Sequence, residues 1–317
     1  MHLSSNPIKL FAGPSDAVLG GKIAKFLRVR LCPLDIKTFS NGEERVQLGE
    51  SVNGCNVFLI QTTAQPADNF VRTLQMISAA KKAGAKRVTL IDPMLGWARQ
   101  DRTDRRLTAV TAKLIISCLE HVGLDRYLTV DLHKDQIEGF FDIPVNKMYA
   151  RRIFLDWLVK QKYKNMVIVI PDEGAARMGR WYAEKLGARR IYVDKDRKVD
   201  GSSNVDEIVG EIDSRHTAIL VDDLISTGGT LIKTAQALAT KRGVKRIIAL
   251  ATHGELSGDA IPNLSSSSLT KIVITDTIQR SEKLGKKFEV LSVAPIFAKA
   301  ISIIHERTGD SISKLSE

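Results

Sequence analysis

The feature that most constrains this chain is a rhythm of short apolar runs separated by segments of helical periodicity. The runs are Asn56–Gln61, Arg87–Asp92, Arg126–Asp131, Met166–Ile170, Arg190–Val193, Thr217–Val221, Arg246–Ala251 and Lys271–Thr275. A strand buried on both faces reads as a nearly continuous hydrophobic run, whereas a half-exposed strand alternates. Between the runs, Phe70–Ala83, Thr111–Val122, Ala175–Leu186 and Thr230–Lys241 repeat apolar residues at helical spacing. Gly84, Gly123, Gly187 and Gly243 follow as helix stops. Such alternation predicts an α/β protein built on mainly parallel sheets flanked by helices.

At 317 residues the chain is long for a single core, which predicts two domains. Gly84-Ala85-Lys86-Arg87-Val88 closes one helix and opens a strand, and Gly243-Val244-Lys245-Arg246-Ile247 repeats the pattern. The echo, with the shared rhythm, predicts two similar halves, residues 1–148 and 149–317, joined near Pro144–Ala150. The stretch from Pro295 to Glu317 reads as helical and is placed to pack back, on the first half as readily as on its own.

The composition, 44% hydrophobic and 26% charged, is that of a soluble globular protein. A net charge of +11 invites a nucleic-acid reading, but aromatics are only 6% and no basic-aromatic stripe occurs. Small polyanionic substrates account for the same excess. Cys32, Cys55 and Cys118 are far apart and form no CxxC pair, so neither a disulfide framework nor a zinc site is indicated. No run approaches the ~20 apolar residues needed to span a bilayer. The expectation is a cytoplasmic protein without nucleic-acid or membrane partners.

Residues 219–231, Ile-Leu-Val-Asp-Asp-Leu-Ile-Ser-Thr-Gly-Gly-Thr-Leu, carry the most chemistry. An apolar strand ending at Val221 delivers Asp222 and Asp223. A turn of hydroxyls and glycines follows, Ser226, Thr227, Gly228, Gly229 and Thr230, and then a helix begins. Such a turn aims backbone N–H groups and hydroxyls at one phosphate, and the helix dipole favours its charge. The acids repel a phosphate but suit sugar hydroxyls or a metal ion. Sugar and phosphate in one loop indicate a ribose 5-phosphate site.

Other strand ends carry further candidates. The charge-dense Ala98–Arg106 segment, with Arg99 and Gln100, reads as a mobile lid whose guanidinium forks neutralise a polyphosphate. His133 follows the strand Arg126–Asp131, and Asp172 follows Met166–Ile170. If these two converge across the domain boundary, they suit a hard cation whose shell is completed by substrate phosphates. Lys195 and Arg197 stand two apart beyond Arg190–Val193 and face one side of an extended chain. A cation pair there suits a clamp on a transferring phosphoryl group. Phe39, Asn41, Gly42 and Glu43 offer an aromatic face, an amide and an acid around a turn, enough to stack on and read a base.

Together these segments resemble ribose-phosphate diphosphokinase, the phosphoribosyl pyrophosphate synthetase family. The resemblance runs from Lys9-Leu10-Phe11-Ala12-Gly13 through Phe39–Glu43, Ala98–Asp101, Thr129–His133, Gln136-Ile137, Gly139–Phe141, Asp172-Glu173-Gly174 and Asp194–Arg197 to Val221–Thr230. It implies two phosphoribosyltransferase-like domains, usually assembled as hexamers. It also implies Mg²⁺-dependent transfer of the diphosphoryl group of ATP to the C1 hydroxyl of ribose 5-phosphate. By that likeness Asn41, Gly42, Glu43, Arg99 and Gln100 contact ATP, and His133 and Asp172 serve the Mg-ATP site. Lys195 is the catalytic lysine, assisted by Arg197, while Asp222 and Ser226 through Thr230 hold ribose 5-phosphate. The chain departs from the family pattern at Ser226, where the family has an acid, at Ala175, where it has glycine, and at Asp196, where it tends to a basic residue. In the mobile loop, Ala109 or Val110 replaces the usual proline. These departures keep a second expectation in play: a catalytically weak homologue that associates with an active synthetase and regulates it.

Overall fold

The computed structural model describes residues 8–103, 105–197, 203–280, 282–306 and 312, and only the backbone of residues 173, 194–197 and 203–206. The chain forms two compact units. Residues up to Tyr149, with 277–279 and the segment from Ser292 onward, make the first; Ala150–Asp276 and Arg280–Leu291 make the second.

The first unit begins with β1 (Ile8–Ala12), α1 (Ala17–Leu27) and the hairpin β2 (Leu34–Thr38) and β3 (Glu44–Leu48). It continues through β4 (Asn56–Ile60), α2 (Asp68–Lys82), β5 (Arg87–Ile91), α3 (Thr111–His121), β6 (Arg126–Val130) and β7 (Val145–Met148). Five strands form a parallel sheet in the order β1-β4-β5-β6-β7, and β2 with β3 forms a separate antiparallel pair. In β4, β5 and β6 one partly exposed residue is followed by four buried ones, which only a sheet covered on both faces produces. On α2, Asn69, Thr73, Met76, Ile77 and Ala80 are buried, the one-face pattern that period 3.6 dictates.

The second unit holds α4 (Arg151–Gln161), β8 (Met166–Ile170), α5 (Ala176–Leu186), β9 (Arg189–Arg197), β10 (Ser203–Val209), β11 (Thr217–Ile225), α6 (Gly229–Arg242), β12 (Arg246–Gly254), α7 (Ala260–Ser266), β13 (Lys271–Thr275) and β14 (Phe288–Leu291). Its sheet runs β10-β9-β8-β11-β12-β13-β14 and is parallel except for β10. The order reverses between β8 and β11, so a crevice opens at the carboxyl ends of those two strands, where ligands bind in open α/β sheets. The last helix, α8 (Ala294–Glu306), belongs to the first unit, packs on α1, and buries Phe297, Ile301 and Ile304.

Two sequence expectations need correction. The strand expected to end at Val221 continues to Ile225, so Asp222 and Asp223 lie within it; pairing with β12 carries it on through Asp222↔Ala251 and Leu224↔His253. The strand expected over Arg190–Val193 extends to Arg197, because β10 pairs with it antiparallel.

Candidate active site

In the second unit, β8 pairs with β11 only as far as Val169↔Leu220, so β11 runs on past the end of β8. Asp222 and Asp223 are carried on this projecting end, and the N–H of Asp223 donates to Asp222 Oδ1 at 2.9 Å. Enclosure of its carboxyl, then the charges of Asp223 and of Asp172 at the end of β8, pushes Asp222 well above the ordinary carboxylate range. Asp172 thus lies close enough to act on the β11 acids. Its Oδ1 also accepts the N–H of Ala175 at 3.2 Å, closing the short turn that leads into α5. Ala175 itself is buried, so its methyl packs inward.

Beyond β11 the loop is tied down on one side. Leu256 N–H donates to Ile225 O at 2.9 Å, and Ser257 N–H to Ser226 O at 3.0 Å. Gly228 then turns the chain at φ +75°, and a Cβ there would meet the Leu264 side chain at 2.9 Å. This position requires glycine both for its backbone and for its space. Next to it the situation is opposite: a Cβ on Gly229 would meet nothing nearer than Thr227 Oγ1 at 3.8 Å. No side chain caps the start of α6. Ser226, Thr227 and Thr230 therefore border a helix N-terminus of the kind that receives a phosphate.

Lys195 and Arg197 occupy the last positions of β9, opposite Val205 and Ser203 of β10. Their side chains lie outside the described residues, as does that of Glu173.

In the first unit the predicted nucleotide residues fall on two elements. Phe39, Asn41, Gly42 and Glu43 form the tip of the β2–β3 hairpin. Phe39 N–H donates to Glu43 O at 2.8 Å, Gly42 N–H to Phe39 O at 2.9 Å, and Glu43 N–H to Asn41 Oδ1 at 3.1 Å. Asn41 is thus a turn-former before it is a reader of any ligand. The tip is exposed, and Lys37 Nζ lies 5.5 Å from the Phe39 ring centroid. Behind it, Arg72 of α2 grips Glu44 with both ends of its fork, at 2.5 and 2.8 Å, which holds the Glu44 carboxyl below its usual range.

Arg99 and Gln100 follow β5 on an irregular segment. Gln100 Oε1 accepts from Thr111 Oγ1 at 2.6 Å, joining the segment to the start of α3. Asp101 accepts from Gln136 Nε2 at 3.1 Å, joining it to the 3-10 turn Asp135–Phe140 after His133. That turn is clamped by the enclosed side chain of Lys147, 2.7 Å from Asp135 and 2.8 Å from Glu138. Burial alone lowers an ammonium pKa, yet these two carboxylates raise that of Lys147. His133 and Asp172 belong to different units.

One buried acid that precedes this segment carries no motif in the sequence. Asp92 is fully buried at the end of β5 and takes Thr63 N–H at 3.2 Å, Thr63 Oγ1 at 2.6 Å, Tyr127 OH at 2.9 Å and, in addition, the backbone N–H of Met94. Burial outweighs those bonds and pushes its pKa up to about 7. The signal was an acid between an apolar strand and Pro93, read only as the end of the run.

These features define a class: an α/β protein of phosphoribosyltransferase-like fold, with acids and a hydroxyl-rich turn at the switch point of its second sheet. Residues 8–123 match the N-terminal domain of ribose phosphate pyrophosphokinase, and residues 203–316 match the phosphoribosyl synthetase-associated domain. The ribose-phosphate pyrophosphokinase of Chlorobaculum tepidum is 39% identical over 98% of this chain and 95% of its own length. That of Caldanaerobacter subterraneus subsp. tengcongensis is 42% identical over 98% of each. The crystal structure of phosphoribosylpyrophosphate synthetase from Mycobacterium smegmatis superposes with a TM-score of 0.88 at 35% identity, covering 95% of this chain and all of that one. The chain belongs to the ribose-phosphate pyrophosphokinase family.

Proposed function

We propose that this chain transfers the diphosphoryl group of ATP to the C1 hydroxyl of ribose 5-phosphate, giving phosphoribosyl pyrophosphate and AMP. The observation that carries the reading is the projecting end of β11. Two acids, a hydroxyl turn and an uncapped helix start stand together there, in a chain that matches ribose-phosphate pyrophosphokinases over both units. Ser226, Thr227, Gly228, Gly229 and Thr230 hold the 5-phosphate, and Asp222 and Asp223 orient the ribose hydroxyls. Phe39 stacks on the adenine, while Asn41, Gly42 and Glu43 shape the pocket edge and Arg99 and Gln100 contact the ATP phosphates.

The C1 hydroxyl oxygen attacks the β-phosphorus and gives up its proton to solvent, the bond from that phosphorus to the α,β-bridging oxygen breaks, and AMP departs with the electron pair. The reaction needs in-line positioning and charge neutralisation more than acid–base machinery. Lys195 and Arg197 supply that neutralisation on the transferring group.

Mg²⁺ fits the donor set. Asp172 and Asp222 are hard oxygen donors, and the charge of Asp172 helps to raise the proton affinity of Asp222, an accumulation of negative charge that a divalent cation relieves. Among the described residues no three His, Cys, Asp or Glu side chains form a cage, and Mg²⁺ needs none when phosphates complete its shell. His133 and Asp172 are the residues we assign to it, and when bound it would neutralise the polyphosphate. A homo-oligomer in the cytoplasm is the setting we assign; no helix among the described residues is long and apolar enough to cross a membrane. Transfer of label from [β-³²P]ATP into the sugar product tests the reaction: label retained in the nucleotide would overturn it.

A further inference from the structure

We infer that Asp92 is a positioning residue for the nucleotide-binding segment, acting through the Thr63 hydroxyl on the backbone of residues 94–97. The inference rests on the reading, above, that Arg99 and Gln100 contact ATP.

A hydroxyl has one proton to give. Thr63 Oγ1 gives it to Asp92 Oδ2 at 2.6 Å, which turns its lone pairs toward Gly96, whose N–H donates to it at 2.8 Å. A second tie runs beside the first: Thr62 Oγ1 donates to Met94 O at 2.9 Å. The two segments are in close contact, since a Cβ on Gly96 would lie 2.4 Å from Thr63 O. Asp92 is itself fixed from a third direction by Tyr127 OH at 2.9 Å, and all three side chains are fully buried.

What this bracing holds is a strained residue. Trp97 sits at φ +56°, a conformation that bulky side chains rarely adopt and that persists only where surrounding contacts over-determine it. Its carbonyl accepts the N–H of Gln100 at 2.8 Å, so the twist at Trp97 fixes the course of Ala98, Arg99 and Gln100. An apolar residue at position 92 would fill the same volume without the burial penalty of a carboxyl. Only an acceptor that takes the Thr63 proton orients that hydroxyl toward Gly96.

The test uses the full chain with Thr63→Val, Asp92→Asn, the conservative Thr63→Ser and the direct-contact variant Arg99→Ala. Amide exchange over residues 94–100 is read by mass spectrometry, and KM is measured separately for ATP and ribose 5-phosphate. Thr63→Val and Asp92→Asn should speed exchange in this segment about tenfold and raise KM for ATP about tenfold, the loss of one buried hydrogen bond. KM for ribose 5-phosphate should stay within about twofold, and Thr63→Ser should behave as the parent. Unchanged exchange in folded Thr63→Val and Asp92→Asn would overturn the inference. Faster exchange with unchanged KM for ATP, while Arg99→Ala raises it, would also overturn it. If Arg99→Ala leaves KM for ATP unchanged, the nucleotide assignment of Arg99 fails, and exchange alone decides whether Asp92 positions the segment.

Discussion

Asp222 and Asp223 stand next to each other on the end of β11 with the N–H of one bonded to the carboxyl of the other at 2.9 Å. Two adjacent acids in a part-enclosed strand end repel each other, and Asp172 adds to the repulsion. Such a group is poorly suited to stability and well suited to a ligand that brings hydroxyls or positive charge.

Asp222→Asn should therefore separate binding from stability. Affinity for ribose 5-phosphate should fall by about ten- to a hundredfold, the loss of a charge-assisted hydrogen bond, while affinity for ATP changes little. The unfolding midpoint should hold or rise, because a repelled carboxyl is removed. Isothermal titration with each substrate, alongside urea denaturation, reads both. Equal weakening toward the two substrates would remove Asp222 from the sugar site.

Lys195→Ala should lower kcat by about a hundred- to a thousandfold with little change in far-UV circular dichroism. The ladder between β9 and β10 is made of backbone hydrogen bonds and does not need the lysine side chain. Steady-state kinetics on the folded variant decides. Unaltered turnover would take Lys195 out of the chemistry.

Gly228→Ala should cost about 1–3 kcal/mol and weaken ribose 5-phosphate binding. Its φ is +75° and its missing Cβ would press on Leu264. Gly229→Ala next door meets only Thr227 Oγ1, at an ordinary contact distance of 3.8 Å, and should be milder on stability while still obstructing the phosphate. Thermal melts of the pair, with and without ribose 5-phosphate, would show the contrast.

Asp92 makes stability depend on pH in a defined direction. Its folded pKa, about 7, lies above that of an unfolded aspartate, so the folded state holds a proton that the unfolded state releases. Its contribution is complete below about pH 4 and is lost as pH rises through 7. Between pH 5 and 8 the loss should be on the order of 3 kcal/mol. His305, whose pKa burial lowers, works in the opposite sense, so the comparison must be with Asp92→Asn, which keeps His305 and removes the Asp92 slope. Urea midpoints across that range give the answer; parallel slopes in the two proteins would show that Asp92 does not titrate there.

The sequence made the sheet centres readable and hid their edges. β4, β5, β6, β8, β11, β12 and β13 are buried on both faces and announce themselves as apolar runs. The strands that went unread are β1 and β7 at the edges of one sheet, β10 and β14 at the edges of the other, and the half-exposed hairpin β2–β3. Edge strands bury less, so composition marks them weakly. Helices were found where glycine stops them: Gly187 and Gly243 end α5 and α6 in the left-handed conformation. Helices α1 and α4 end in the same conformation but on Arg28 and Lys162, which carry no such signal. Among candidate site residues, the loop Ser226–Thr230 was legible because its residue types leave few alternatives. Asp92 was not, since its importance comes from Thr63 and Tyr127, brought to it by neighbouring segments far away in sequence.

The most direct test of the account is product analysis by ³¹P NMR with purified protein, Mg²⁺, ATP and ribose 5-phosphate. The account predicts AMP together with a sugar carrying a diphosphoryl group on C1. ADP with a singly phosphorylated C1, or no turnover by folded protein with or without inorganic phosphate, would contradict it.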